Sequence, residues 1–299
     1  MQNNLDITKF TFLTEEQIFG NDQLDILKKY GKGCAMTDFS ILLGGNVSFS
    51  NFTSEGFQIK DRIGWWWTKT PHRNDVVVVD LYGLCNPYLG VESRMAGARP
   101  ALSYSTLMKK TLNKVRDNNG ILEVKYGEYP QMVVSESFSR ILEKAYLNKT
   151  INKTGKSYTT DSIEDWRKST AFQARNHIEY EYNGKKYIRV VGDSTSWNRR
   201  LSDGRLVEFD IPYWLEVEPI NWMIDEKTDI ALSKKIIFAG VQFNMENNYK
   251  GDFNRTNIKI FMDKYFSKDV VPSTIDELSI EEQRDSILTK KLTVQKKNR

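Results

Sequence analysis

Helical periodicity of apolar residues marks three stretches of the chain. Residues 14–30 begin with Thr-Glu-Glu and carry apolar residues at helical spacing, which predicts a helix that is interrupted near Gly20-Asn21 and ended by Gly31. The stretches SESFSRILEKAYL and FNRTNIKIFMDKYF each place their apolar residues on one face, the first behind a serine cap. The residues predicted to be buried in these two helices are Phe138, Ile141, Leu142, Ala145, Ile258, Phe261, Met262 and Phe266.

Alternation of apolar and polar residues predicts strands elsewhere. Residues 37–64 are rich in Ser, Phe, Gly and Asn, which indicates short strands and turns. Residues 121–134 alternate like a strand that is broken at Gly127 and Pro130. HIEYEYNGKKYIRVV predicts a hairpin turning at Asn183-Gly184, because this pair tolerates positive φ at both centres of a type I′ turn. A second hairpin is predicted around residues 226–229.

The order of these elements predicts the fold class. Hairpins dominate and no alternation of strand and helix typical of a parallel sheet is present, so we expect an α+β fold. A capping box, Ser279-Ile-Glu-Glu282, predicts a basic C-terminal helix. The predicted domains are an N-terminal helical lead (1–36), a composite α+β domain (37–271) and the basic tail (272–299). The composite domain divides into 37–104, a connector at 105–120 and a second half at 121–271.

The stretch between Trp65 and Leu102 follows no single periodicity. It opens with three consecutive tryptophans. In an extended segment Trp65 and Trp67 point to one face and Trp66 to the other, so two rings are expected to anchor the core while the third covers a rim or packs against the second half. Direct stacking of a ring on a ligand is the alternative. The run Val76 to Val79 suits a buried strand as well as the edge of a binding surface. Two arginines, Arg94 and Arg99, are expected to form inward salt bridges that hold the segment.

Composition and charge exclude several classes of protein. With 27% charged residues, a mean hydropathy of -0.54 and no apolar run near 20 residues, no membrane insertion is expected. The N-terminus lacks a basic region followed by an apolar one, so the expected location is cytoplasmic or on a virion. The net charge is +4, but residues 281–299 hold six Lys/Arg against three Asp/Glu. The rest of the chain is nearly neutral, which argues against general nucleic-acid binding.

Residues that carry chemistry are few. The two histidines, His72 and His177, belong to no metal or hydrolase motif, although a Ser-His-Asp triad stays open because its members meet only in space. His177 lies in an alternating strand, where an ordinary half-buried or edge histidine is favoured over a catalytic base. Cys34 and Cys85 are either a redox pair or two small apolar residues. We therefore expect no catalytic residues, no metal and no cofactor.

Several motifs together resemble a known family. WWWTKTP followed by GARPAL resembles the "YWLRSP … GVRPAL" signature of a large family of uncharacterised bacterial and phage domains, and KYGEYPQ, YNGKKY and VEPINW resemble its other signatures. One departure is that the family places the Gly-x-Tyr-Pro-Gln segment first and the Arg-Pro-Ala-Leu segment last, whereas this chain reverses them. The reversal indicates a permutation or a half-domain fused ahead of its complement, and it leaves the strand connectivity open. The matching residues are 65–71, 97–102, 125–131, 182–187, 217–222 and 252–266.

The family in turn is similar to the C-type-lectin-like fold of formylglycine-generating enzymes and of the variable proteins of diversity-generating retroelements. In those variable proteins a rigid scaffold holds a surface that a reverse transcriptase rewrites at template adenines. The resemblance implies a frame of Trp65, Trp66, Trp67, Pro71, Arg99 and Pro100. It implies a variable, ligand-binding surface of His72, Asn74, Val76, Leu81, Tyr82, Leu84, Cys85, Asn86, Tyr88, Leu89 and Ser93.

The residue content of this window fits such rewriting. Randomising the adenines of an Asn codon leaves its third base a pyrimidine, so Lys, Glu, Gln, Met and Trp do not arise. None of these five residue types occurs from His72 to Val91.

The expected function is recognition of an unidentified protein or surface ligand, with the oligomeric state left open. Two alternatives remain. One is a phage or bacterial structural or anti-defence protein that uses the same fold as an inert module. The other is an oxidoreductase of the formylglycine-generating type, which needs reactive cysteines close together, and Cys85 lies within the supposedly variable loop.

Overall fold

The computed structural model describes residues 10–48, 62–108, 114–117, 119–161, 174–192, 199–244 and 249–270. A 3₁₀ turn at Phe253–Arg255 and a π-helical segment at Met262–Phe266 flank the sixth helix. The α-helices are α1 (Glu15–Phe19), α2 (Asp25–Tyr30), α3 (Asp38–Leu42), α4 (Tyr104–Met108), α5 (Glu136–Leu147), α6 (Asn257–Phe261) and α7 (Ser267–Val270). The strands are β1 (Cys34–Ala35), β2 (Val47–Ser48), β3 (Ile63–Gly64), β4 (Trp66–His72), β5 (Asp75–Val79), β6 (Cys85–Leu89), β7 (Ala101–Ser103), β8 (Lys114–Arg116), β9 (Leu122–Val133), β10 (Asn152–Asp161), β11 (Ala174–Tyr182), β12 (Lys185–Val191), β13 (Pro212–Asp225) and β14 (Ile230–Ser233).

Antiparallel sheets dominate the architecture. The largest sheet runs in the order β10-β11-β12-β13-β14-β7, with β9 paired to β13 and β8 paired to β9. Two three-stranded sheets, β1-β3-β2 and β4-β5-β6, complete the described strands. The predicted α+β class is therefore confirmed. Because β7 joins β14, the segments before and after residue 120 share one sheet.

Both predicted hairpins are present. Asn183 and Gly184 have φ values of 52° and 75° and join β11 to β12, as a type I′ turn requires. The second hairpin joins β13 to β14 with Asp225 opposite Ile230. These turns are encoded locally, which is why the sequence predicts them.

The predicted break at Gly127 is a bulge within a continuous strand. Lys125 pairs with Asn221 and Glu128 with Pro219, so two residues of β9 face one residue of β13. Gly127 has a φ of 72°, and a Cβ added to it would lie 2.3 Å from Cγ1 of Val270. The glycine therefore bends the strand and makes room for α7.

Residues 37–64 were predicted as strands and turns, and α3 shows that this was wrong for 38–42. Thr37 caps the helix by accepting from the Ser40 N–H at 3.2 Å. Arg199 donates to the carbonyls of Ile41 and Leu42 at the other end. Every residue of α3 is buried, so the helix has no polar face and leaves no amphipathic signal.

The two amphipathic helices are confirmed with one correction. Ser135 caps α5, and Leu142 and Ala145 are buried while Phe138 packs partly buried beside them. Ile141, which was predicted to be buried, is 49% exposed because the buried stripe passes beside it. The predicted buried residues Ile258, Phe261, Met262 and Phe266 all lie in the core.

The predicted N-terminal lead packs into the main core. Phe10, Phe12, Leu13 and Ile18 are buried in the same cluster as the tryptophans and β13. α1 and α2 are separated at Gly20, and Gly31 with φ 78° ends α2, as predicted. The predicted basic C-terminal helix and its capping box lie outside the described residues. Within the described part of the chain, no helix is long and apolar enough to span a membrane.

Asp38 joins three segments that are distant in sequence. Its buried carboxylate accepts from the Val133 N–H at 2.9 Å and the Ser202 N–H at 2.7 Å. It also lies 3.5 Å from the Arg62 guanidinium. The carboxylate therefore ties α3 to β9 and to the segment after Arg199.

We predict that Asp38→Ala lowers the free energy of unfolding by about 3 kcal/mol, because it removes a buried carboxylate that accepts from two backbone N–H groups and neutralises a guanidinium. Urea denaturation measures the loss. Asp22→Ala, at an exposed position with the same charge change, is the control and is expected to stay within about 0.5 kcal/mol. Equal losses in the two variants would contradict this role for Asp38.

Candidate functional site

The two ends of the segment between Trp65 and Arg99 are hydrogen-bonded to each other. The Gly97 N–H donates to the Trp65 carbonyl at 2.8 Å, and the Trp67 N–H donates to the Gly97 carbonyl at 3.1 Å. A Cβ added at Gly97 would lie 2.3 Å from Cγ2 of Ile236, so glycine is required by the close approach. The segment is therefore a loop that is closed at its base.

The tryptophan rings fix one side of this base. Trp66 and Trp67 are fully buried on opposite faces of β4, whereas Trp65 is partly buried against the core. Trp66 Nε1 donates to the Lys32 carbonyl at 3.0 Å, and the Trp67 ring packs 5.3 Å from Phe243. Two rings anchor the core and one covers a rim, but the buried pair is Trp66 and Trp67, whereas Trp65 and Trp67 were the two expected to share a face.

Arg99 and Pro100 fix the other side. Arg99 Nε donates to the Ser233 carbonyl at 3.0 Å, and its guanidinium lies 5.0 Å from the Trp66 ring. The Pro100 carbonyl accepts from the Ser233 N–H at 3.0 Å. In place of the salt bridge predicted for Arg99, the structure has a hydrogen bond to a carbonyl and a cation–π contact. Burial lowers the pKa of the Arg99 guanidinium. The other predicted inward salt bridge is present: Arg94 lies 2.8 Å from Asp161.

The sheet β4-β5-β6 forms the body of the loop. β4 and β5 turn at His72–Asp75, where Arg73 has a φ of 57°, and the frame residue Pro71 is exposed near this turn. The predicted buried strand Val76–Val79 is confirmed.

Two residues predicted for the ligand-binding surface are in the core instead. Val76 is 0% exposed and Leu89 is 8% exposed, and the two pair with each other across β5 and β6. Both side chains belong to the main hydrophobic core, so they lie on the sides of β5 and β6 that the core covers. The prediction was wrong for this pair.

The remaining predicted surface residues keep solvent exposure. Tyr88 is 77% exposed, Tyr82 50% and Leu84 46%, and the Tyr88 ring meets the His72 ring edge-on at 6.0 Å. His72 and Tyr88 lie near the β4–β5 turn, whereas Tyr82 and Leu84 lie in the β5–β6 turn at the opposite end of β5. The other predicted residues that are exposed or half-buried in the loop are Asn74, Leu81, Cys85, Asn86 and Ser93.

Asp80 and Gly83 shape the turn between β5 and β6, and sequence reasoning missed this role of both residues. Asp80 Oδ1 accepts from the N–H groups of Tyr82 and Leu84 at 2.8 and 2.9 Å. Gly83 has a φ of 77°, and a Cβ there would lie 3.0 Å from the Gly33 nitrogen. The signal was present, because an Asp with a Gly three residues later after a strand is typical of a side-chain-stabilised turn.

The edge of this sheet offers few backbone donors. Pro87 in β6 has no N–H, and the Tyr88 N–H is taken by Asn86 Oδ1 at 3.0 Å. Residues 87 and 88 therefore offer no free N–H to a further strand. The surface therefore presents side chains rather than backbone for contact.

The cysteines do not form a reactive pair. Cys34 is buried, with its thiol 3.5 Å from the Lys234 carbonyl, whereas Cys85 is exposed, 3.4 Å from Oε1 of Glu15. Burial and the neighbouring Glu15 raise the pKa of Cys85 to about 11. A thiol held protonated in this way is a weak nucleophile.

His177 is a core residue. It is buried, bonds Thr160 Oγ1 at 2.9 Å and meets the Phe39 ring edge-on at 5.7 Å. Burial lowers its pKa to about 4, and the neighbouring Arg175 acts in the same direction. Within the described ranges, no group of three or more His, Cys, Asp or Glu side chains is arranged to hold a metal ion.

Comparison with known proteins gave no match: no protein-family model, no curated protein and no solved structure is significantly similar to this chain.

We predict that His177 makes stability fall in acid. Its pKa is about 4 in the folded state and 6.5 ordinarily, so between these values the unfolded chain binds a proton that the folded chain does not. The contribution is present above pH 6.5 and is lost as the pH falls to 4, by about 3 kcal/mol. Asp269 changes the pH dependence of stability in the opposite sense. Burial raises its pKa to about 6, so the folded chain holds a proton that the unfolded chain has lost.

The His177→Gln variant isolates this contribution. Its free energy of unfolding, measured with urea from pH 4 to 7, is expected to depend less steeply on pH than that of the wild type. Parallel curves for the two proteins would exclude His177 as the source.

Proposed function

We propose that the exposed part of residues 72–95 is a ligand-recognition surface, displayed on a C-type-lectin-like scaffold and diversified by a retroelement. One observation carries the proposal: the base of the loop is closed by the contacts of Trp65–Trp67 with Gly97 and Arg99, while side chains between them emerge into solvent. A loop whose path is set by its base can change its tip without refolding.

The exposed residues of the loop support recognition. Four of the eleven exposed large hydrophobic residues of the described chain lie in this loop: Tyr82, Leu84, Tyr88 and Met95. Exposed apolar side chains are frequent at partner sites, and tyrosines supply large contact areas at a low cost in conformational entropy. The partner is an unidentified protein or surface ligand contacted through side chains, since residues 87 and 88 of β6 offer no free N–H to a further strand.

The geometry narrows the positions that can vary. Val76, Val78, Val79 and Leu89 are buried, so variation there would disturb the core. Asp80 and Gly83 shape the turn between β5 and β6. The proposal therefore assigns variation to the exposed positions between these fixed ones.

The first test is the DNA that flanks the gene. We expect a reverse transcriptase gene and a near-copy of codons 65–102 that differs from them only at adenines. Finding neither would remove the retroelement from the proposal, and a binding surface with fixed residues would have to be tested by itself.

The second test compares exposed side chains of the loop with a buried side chain of the same sheet. Replacing Tyr82, Leu84 and Tyr88 together by Ala is expected to change the free energy of unfolding by less than about 1 kcal/mol, because these side chains are exposed. Val76→Ala is the matched control and is expected to cost about 2 kcal/mol. Thermal and urea denaturation measure both variants.

The result separates recognition from an inert structural module. If the triple variant loses as much stability as Val76→Ala, the three side chains are part of the packing, and the interpretation as an inert structural module is favoured. Retained stability leaves the three side chains free to serve binding, as the proposal requires.

A further inference from the structure

A second concave site lies on another part of the molecule. It is an open cleft of about 480 Å³ beside the N-terminus of α5 and strands β12 and β13, and it shares no residue with the loop 72–95. Its volume falls in the range of small-ligand sites. The side chains that matter to the argument are Met132, Val134, Phe138, Tyr187, Glu216 and Glu218.

Glu218 is an unpaired acid in this cleft. The neighbouring Glu216 forms an ion pair with Lys185 at 2.7 Å, whereas the Glu218 carboxylate has no hydrogen bond or ion pair with any residue that the structure describes. Glu218 is half-buried, and burial, with Glu216 as the second cause, raises its pKa. Lys235, Lys185 and Lys125 oppose this rise without overcoming it. Lys185 also lines the cleft, and Lys235 Nζ lies 3.3 Å from Sδ of Met132 in its wall, but neither ammonium contacts the Glu218 carboxylate directly.

Tyr187 supplies a second unused polar group. It is 2% exposed, lies opposite Glu216 in the β12–β13 pair, and meets the Phe138 ring edge-on at 5.7 Å. Its hydroxyl forms no hydrogen bond within the described ranges, although its side chain lines the cleft. The hydroxyl is therefore available to a ligand or to water at the cleft wall.

The remaining wall is apolar. Phe138 lies in the first turn of α5, Val134 lies between β9 and α5, and Met132 lies at the end of β9. Such a wall suits the methylene groups of an aliphatic chain, while Glu218 and Tyr187 offer oxygen acceptors.

We propose that this cleft binds an alkylammonium group, with the ammonium donating to the Glu218 carboxylate and the Tyr187 hydroxyl and the methylene chain lying against Phe138 and Val134. An ammonium group has three donors and no acceptor, which matches two oxygen acceptors in a half-buried place. The same chemistry is carried by a lysine side chain and by a free aliphatic diamine. The proposal does not depend on the function proposed for the loop 72–95.

The test is an NMR titration of the ¹⁵N-labelled full chain. One arm uses N-acetyl-lysine methylamide, which represents a lysine of a polypeptide, and the other uses 1,5-diaminopentane. Saturable shifts of the amides around Glu216 and Glu218 are expected with at least one probe, and the tighter probe identifies the source. The ε-acetylated lysine derivative, which has no charge, is expected not to bind.

Two variants test the assigned groups. Glu218→Gln is expected to weaken binding about tenfold or more, because it removes the charge at nearly constant shape. Tyr187→Phe removes only the hydroxyl and is expected to weaken binding by a factor of about 2 to 10. Glu181→Gln, an exposed acid on β11, is the matched control and is expected to have no effect.

Three results would overturn the proposal. These are shifts that rise linearly without saturation for both probes, equal weakening by Glu181→Gln and Glu218→Gln, or unchanged binding in both cleft variants. Circular dichroism of each variant separates loss of binding from loss of fold.

Discussion

The contact between Arg99 and Trp66 is the constraint on which the loop depends. The Arg99 guanidinium is buried with no carboxylate partner among the described residues, which is costly; it is tolerated because it lies over an indole ring and donates to the Ser233 carbonyl. The same contact holds the beginning and the end of the loop side by side, because Trp66 lies at the beginning of the loop and Arg99 at its end. Loop closure is therefore completed by the core, and the tip has no part in it.

Buried polar groups play the same part in the rest of the fold. Asp38 and Arg199 hold the two ends of α3, and Arg94 with Asp161 ties the end of the loop to β10. Each of them satisfies backbone or charged groups from segments far apart in sequence. Burying such groups is favourable only when all partners are in place, which couples short elements into one structure.

The sequence predicts what is encoded locally and fails where tertiary contacts decide. The Asn183-Gly184 turn and the Ser135 cap are specified by neighbouring residues, and both are found as predicted. The five residues of α3 are buried all round, so no periodicity marks them as helical. The loop boundaries were predicted from motifs, but whether Val76 or Tyr88 faces the core depends on what covers each face of the sheet. A buried run such as Val76–Val79 carries no alternation to indicate the exposed face.

The two proposed sites differ in how strongly their side chains are coupled to folding. Tyr82 and Tyr88 lie on a tip and an edge strand, where exchange of one side chain changes little of the core. Tyr187 and Glu218 belong to adjacent central strands of the large sheet, and Tyr187 packs in the cluster beneath α5. Changes at Tyr187 are therefore limited by stability as well as by binding. The loop suits ligands that differ from one protein to the next, whereas the cleft suits one constant chemical group.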